Sequence, residues 1–140
     1  MKIKDIKAYE LLDSRGNPTV GVEVILSDES VGLALVPSGA STGKYEAIEK
    51  RDSQKDRYLG KGVLVAVNSI HNDILPLLRD KDASDLFGND LLMIEEDGTD
   101  SKGNFGANAI LAVSLACAKA AASSMKINLH EYINNKASEF

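Results

Sequence analysis

The chain has 140 residues, 44% hydrophobic and 26% charged, the balance of a soluble globular domain and not of a disordered segment. One core of this size can bury about two-thirds of the unfolded surface. A formal net charge of -5 argues against a nucleic-acid surface, and the longest apolar run, 109–122, is interrupted by Ser114 and Lys119 and too short to span a membrane.

Residues 3–13, with Ile6, Ala8 and Leu12, predict a first strand closed by the turn residues Asp13-Ser-Arg-Gly-Asn-Pro18. In TVGVEVIL, 19–26, Val20, Val22, Val24 and Leu26 alternate with Thr19, Gly21, Glu23 and Ile25, the period of a strand with one buried face. Ser27 to Ser30 reads as a hairpin loop, and Val31, Leu33 and Leu35 give a third strand.

The period then changes. Val63, Val67, Ile70, Ile74 and Leu78 recur at helical spacing, with Pro76 either kinking the helix or ending it late. A shorter helix over 84–95 takes Ser84 as its cap and faces a core with Leu86, Met93 and Ile94. Residues 107–125 are helical by propensity and apolar on nearly every side, so that helix calls for burial. A last helix covers 129–136. Strands and helices in separate blocks define an α+β domain: a three-stranded antiparallel meander followed by about four helices.

Most polar residues read as structural. His71 and His130 have no second ligand at helical spacing, which argues against a metal site. Glu95-Glu96-Asp97 reads as a solvated helix end, and the basic residues Lys44, Lys50, Arg51, Lys55, Arg57 and Lys61 as a solvated face. Cys117, the single cysteine, excludes an internal disulfide, fits a reducing compartment and reads as a small buried hydrophobe. Met1-Lys-Ile-Lys-Asp has no apolar signal segment, so a cytoplasmic location is expected.

The stretch VPSGASTGKYEA, 36–47, stands apart. It resembles a P-loop, but it has three residues between the glycines, ends in Tyr45 and leaves a meander strand, so nucleotide binding ranks last. Gly39 and Gly43 bracket Ala40, Ser41 and Thr42, a segment without bulk that suits closure over a polar ligand. Serine hydroxyl and carbonyl oxygens are hard ligands of the kind Mg²⁺ takes. An ordinary Gly/Ser surface loop is the alternative.

The ordered set DSRGNPT (13–19), VPSGASTG (36–43), YLGKGV (58–63), DGT (97–99) and GANAIL (106–111) closely resembles the amino-terminal domain of enolases. The resemblance covers about Ile3 to Tyr132 and implies a meander and helical block packed against a (β/α) barrel. Enolases interconvert 2-phosphoglycerate and phosphoenolpyruvate in glycolysis, with Mg²⁺ stabilising the enediolate. The resemblance places the acid, the base and the main carboxylate ligands at barrel strand ends, and a barrel takes about 250 residues. A chain of residues 1–140 is therefore expected to supply the active-site loop and to be inactive alone.

By that resemblance the substrate-binding loop is Ser38, Gly39, Ala40, Ser41, Thr42 and Gly43. Ser41 would ligate the second Mg²⁺, Gly39 and Ala40 would lie against substrate, and Thr42 and Gly43 would act as hinge and support. Arg15 either faces the barrel mouth or holds its turn. The implied partners are the chain's own barrel and, in the full-length protein, a second subunit, with no nucleic acid or membrane. Gly21 stands where many enolases carry an acidic residue that pairs subunits; Glu96 and Ala112 are further departures. The competing reading is an enolase-like interaction module without catalysis, which should carry an exposed apolar patch.

Overall fold

A computed structural model describes residues 1–36, 38–39 and 43–138. Strands β1 (Ile3–Leu12), β2 (Pro18–Leu26) and β3 (Val31–Leu35) form one antiparallel sheet in the order β1-β2-β3. Four helices follow: α1 (Leu64–Leu78), α2 (Leu86–Asp97), α3 (Ala107–Met125) and α4 (Leu129–Ala137). The α+β expectation therefore holds, with β2 central and the helices stacked on one face of the sheet.

The buried face of β1 carries Ile3, Ile6 and Ala8, and that of β2 carries Val20, Val22, Val24 and Leu26. A register shift between Ile3 and Asp5 puts both Ile3 and Ile6 inside although they are three residues apart. Leu12, expected inside, is exposed, because the strand outruns its helical cover.

β3 runs in the opposite phase to its apolar pattern. Val31, Leu33 and Leu35 point outward, and Gly32 and Ala34 face the helices. A β-carbon on Gly32 would lie 2.1 Å from the Ala116 carbonyl oxygen and 2.3 Å from the Ala120 nitrogen. The α3 backbone thus rests almost directly on β3, which only glycine on the strand and alanine on the helix permit. α3 is long and apolar enough to cross a membrane by composition, and eleven of its residues are buried in this core.

Both outer edges of the sheet meet a helix side chain. Lys119 Nζ of α3 donates to the Leu33 carbonyl of β3 at 2.9 Å, and His71 Nε2 of α1 accepts the Ala8 N–H of β1 at 3.0 Å. Such ties occupy backbone groups that an open edge would offer to another strand. His71 reaches β1 from a π turn, Ile70–Ile74, inside α1, where Leu75 N–H donates to the Ile70 carbonyl. The irregularity precedes Pro76, and the helix continues to Leu78. Pro76 has no N–H to donate to the preceding turn, and the backbone widens to an i→i+5 bond just before it.

The cap of α2 is Asp85 and not Ser84: its carboxylate accepts the Gly88 N–H at 3.1 Å, while the Ser84 hydroxyl donates to Asp82 at 2.8 Å. Met93 is buried, Leu86 only partly, and Ile94 exposed. Asn128 and Glu131 form a capping box on α4, whose Tyr132 is buried.

Candidate functional site

The turn between β1 and β2 is organised by one carboxylate. Asp13 Oδ1 accepts the N–H groups of Arg15 at 2.8 Å and Asn17 at 2.9 Å, and Oδ2 accepts from the Arg15 guanidinium at 3.1 Å. The Asn17 bond, with those of Arg15 helping, outweighs desolvation and holds the Asp13 carboxyl below its ordinary pKa. From this turn Arg15 Nη2 reaches the Ser38 carbonyl at 3.1 Å. Arg15 thus holds its turn and also grips the next loop.

Ser38 is tied a second time through its hydroxyl. Its Oγ donates to Glu49 Oε2 at 2.9 Å and accepts from Arg51 Nη2 at 3.0 Å, while the same arginine nitrogen donates to Glu49 Oε1 at 2.6 Å. Thr19 anchors Val36, two residues before Ser38, by donating to its carbonyl. On the far side of the loop, Gly43 N–H donates to Glu46 Oε2 at 2.6 Å. Of the expected substrate loop, Ser38 and Gly43 are each tied to a glutamate, Glu49 and Glu46. Ala40, Ser41 and Thr42 lie outside the described residues.

Between Val36 and Val63 the described chain has no strand or α-helix, and bonds to distant parts of the chain hold it. Ile48 N–H donates to the Ser101 carbonyl and Ala107 N–H to the Ile48 carbonyl, each at 2.8 Å. Buried Asn108 bonds the Lys50 N–H and carbonyl, both at 3.0 Å. Gly106 sits at φ 94, where a β-carbon would also approach Lys50 Cβ to 2.5 Å. Those contacts explain why Gly106 and Asn108 stand where they do.

Further along, Glu10 accepts from both Arg57 terminal nitrogens and, at 2.7 Å, from the Val63 N–H. Asp52 accepts the Leu64 N–H at 3.1 Å and the Val65 N–H at 2.8 Å, so a remote carboxylate caps α1. The Arg57 bond above all, with Val63 helping, outweighs desolvation and lowers the Glu10 pKa. Next to this clasp Tyr58, Leu59 and Gly60 all take positive φ, 48, 56 and 83 degrees, a left-handed turn that leaves Leu59 exposed.

Two readings of the charged residues need correction. Arg51 and Arg57 do not lie on a solvated face; Arg51 is paired with Glu49, and Arg57 with Glu10 of β1 and with Asp52. Asp97 is not a solvated helix end but is buried. Its carboxylate accepts from the Phe105 N–H at 2.6 Å and the Thr99 hydroxyl at 2.5 Å, and its carbonyl accepts from Asn104 at 2.7 Å. Burial alone would raise the Asp97 pKa; these donors bring it below its ordinary value. Glu95 and Glu96 are exposed.

Cys117 is buried in α3, and that burial pushes its thiol up to about 12, so it is no nucleophile at neutral pH. Beside it, Asp90 Oδ2 accepts from Ser114 at 3.1 Å while Oδ1 has no partner, and burial raises the Asp90 pKa.

The loop rim opens onto a groove of about 620 Å³ whose lining includes Val36, Gly39, Gly43, Glu46, Arg51 and Leu111. Among the described residues no three His, Cys, Asp or Glu side chains converge on a metal position. The family model described as "Enolase, N-terminal domain" matches residues 3–133.

Proposed function

The chain belongs to the enolase amino-terminal domain family, and from that premise we propose that it supplies the substrate loop of a Mg²⁺-dependent lyase interconverting 2-phosphoglycerate and phosphoenolpyruvate. The observation that carries the reading is the convergence on Ser38 of Arg15 from the DSRGNPT turn and of Arg51 and Glu49 from the segment beyond the loop. Motifs far apart in sequence meet at the root of the one loop the family reading singles out.

Within this proposal Gly39 and Ala40 lie against substrate, Ser41 adds hydroxyl and carbonyl oxygens to the second Mg²⁺, and Thr42 and Gly43 support them. The metal, when bound, neutralises charge developing on the substrate carboxylate. This chain's share is to orient the loop and to exclude water from the reacting centre. The acid and base belong to a barrel domain.

With 2-phosphoglycerate and Mg²⁺, the 140-residue chain alone should give no growth of phosphoenolpyruvate absorbance; turnover would place the acid and base within it. Joined to an enolase barrel, the chain should restore turnover. Ser41→Ala in that enzyme should lower turnover and weaken the second Mg²⁺; an unchanged Mg²⁺ titration overturns the role of Ser41.

A specific observation also favours an interaction role. The outer face of the sheet exposes Tyr9, Leu11, Leu33 and Leu35. Leu11 Cδ1 lies 2.6 Å from where a β-carbon on Gly21 would stand, so the position of the subunit-pairing acid is covered by leucine. We assign this face to pairing with a second subunit through apolar contact in place of the usual ion pair. Sedimentation of the enzyme with Leu33→Asp should show dissociation, and an unchanged mass rejects the assignment.

A further inference from the structure

We propose that Arg51 is a positioning residue for Ser38 and Gly39, acting through the Ser38 hydroxyl, with Arg15 as its counterpart on the Ser38 carbonyl. The inference rests on the reading of this segment as the substrate loop and adds to it the group that sets where the loop starts. Arg51 uses all four terminal N–H bonds, and they go to four separate stretches of chain. Nη1 donates to the Pro18 carbonyl at 2.6 Å and the Lys61 carbonyl at 2.5 Å, and Nη2 to Ser38 Oγ at 3.0 Å and Glu49 Oε1 at 2.6 Å.

Because Ser38 Oγ also donates to Glu49 Oε2 at 2.9 Å, serine, glutamate and arginine close a ring in which each is bonded to the other two. The serine rotamer is then fixed by a donor and an acceptor at once, while Arg15 fixes its carbonyl at 3.1 Å. Gly39, which follows, has no side chain to hold, so its place depends on Ser38.

Arg51 is the stronger of the two grips. Its side chain is 20% exposed and that of Arg15 50%, so water competes less for its bonds. The acceptors also select arginine over lysine. A planar fork with N–H groups on separate nitrogens can span them; a lysine presents three N–H bonds from one nitrogen and cannot. Charge alone therefore does not replace Arg51.

The test compares Arg51→Lys, Ser38→Ala and the double variant. In the 140-residue chain, mass spectrometry follows tryptic cleavage after Lys44, beyond the loop, and after Lys119, in the core helix. Each single change should speed cleavage after Lys44 about tenfold and the double change no further, the coupling expected of groups in one network. Cleavage after Lys119 should not change. Equal Lys44 rates in Arg51→Lys and the parent, a parallel rise at Lys119, or multiplicative effects in the double variant would each overturn the inference.

In the enzyme joined to its barrel, kcat/KM for 2-phosphoglycerate should fall about tenfold in each single variant and no further in the double, at unchanged melting temperature. An unchanged kcat/KM in Arg51→Lys also overturns the inference. Failure of the enolase reading shows differently, as absent turnover in the parent enzyme with the cleavage pattern intact.

Discussion

Where β3 meets α3 the contact is backbone against backbone, Gly32 on Ala116 and Ala120. From Val36 to Val63, by contrast, the described chain has no strand or α-helix and is held by Arg15, Arg51, Arg57, Asn108 and their partners. The first region stays in place through close packing, which tolerates almost no change of volume. The second is fixed bond by bond, and each bond can be weakened without collapsing the core. A loop that must meet a ligand belongs to the second kind of structure.

Gly32→Val should break the comparison from the packed side. With a β-carbon 2.1 Å from a carbonyl oxygen, strand and helix must separate, and urea unfolding should show a loss of about 3 kcal/mol. Little or no loss would mean that the seam is not close-packed.

Glu10→Gln tests the tied side and should lower the urea midpoint by less than Gly32→Val. Its pH dependence identifies the cause. The Glu10 pKa is lowered in the folded state, chiefly by Arg57, so its contribution is present above the unfolded value of about 4.3 and is lost as pH falls through the folded value. The gap between parent and variant should be full near neutrality and close in acid; a gap independent of pH would assign the loss to packing instead.

Asp90→Asn sharpens the contrast, because Asp90 is an imperfect polar tie set between two packed helices. Its pKa is raised by burial, so the parent is best off below the unfolded value of about 3.9 and loses stability as pH rises through the folded one. The variant should melt higher at pH 7, and that advantage should vanish in strong acid. Among these changes Arg51→Lys should move global stability least, since its effect is confined to the rim of the loop.

Much of this was legible beforehand. The alternation of Val20, Val22, Val24 and Leu26 gave the central strand, the 3.6-residue period the first helix and propensity the long one, and the ordered motifs gave the family. Gly39 and Gly43 of the expected loop both line the groove. Arg51 was missed as part of a diffuse basic cluster, and Asp97 was misread because buried and solvated carboxylates look alike in sequence. The density of acids and arginines in EAIEKRD, 46–52, was the available signal.

By itself the sequence determined what depends on near neighbours: strand and helix periods, the capping box at Asn128 and Glu131, and the turn residues around Gly16. Tertiary structure alone decided what depends on distant partners. β3 turns Val31, Leu33 and Leu35 outward because α3 leaves room only for Gly32 and Ala34. Val63 at the start of α1 is tied by Glu10, fifty-three residues earlier in the chain. Local rules extend over about one helical turn, whereas packing volume and buried charge are settled by whichever residues the fold brings within a few ångströms.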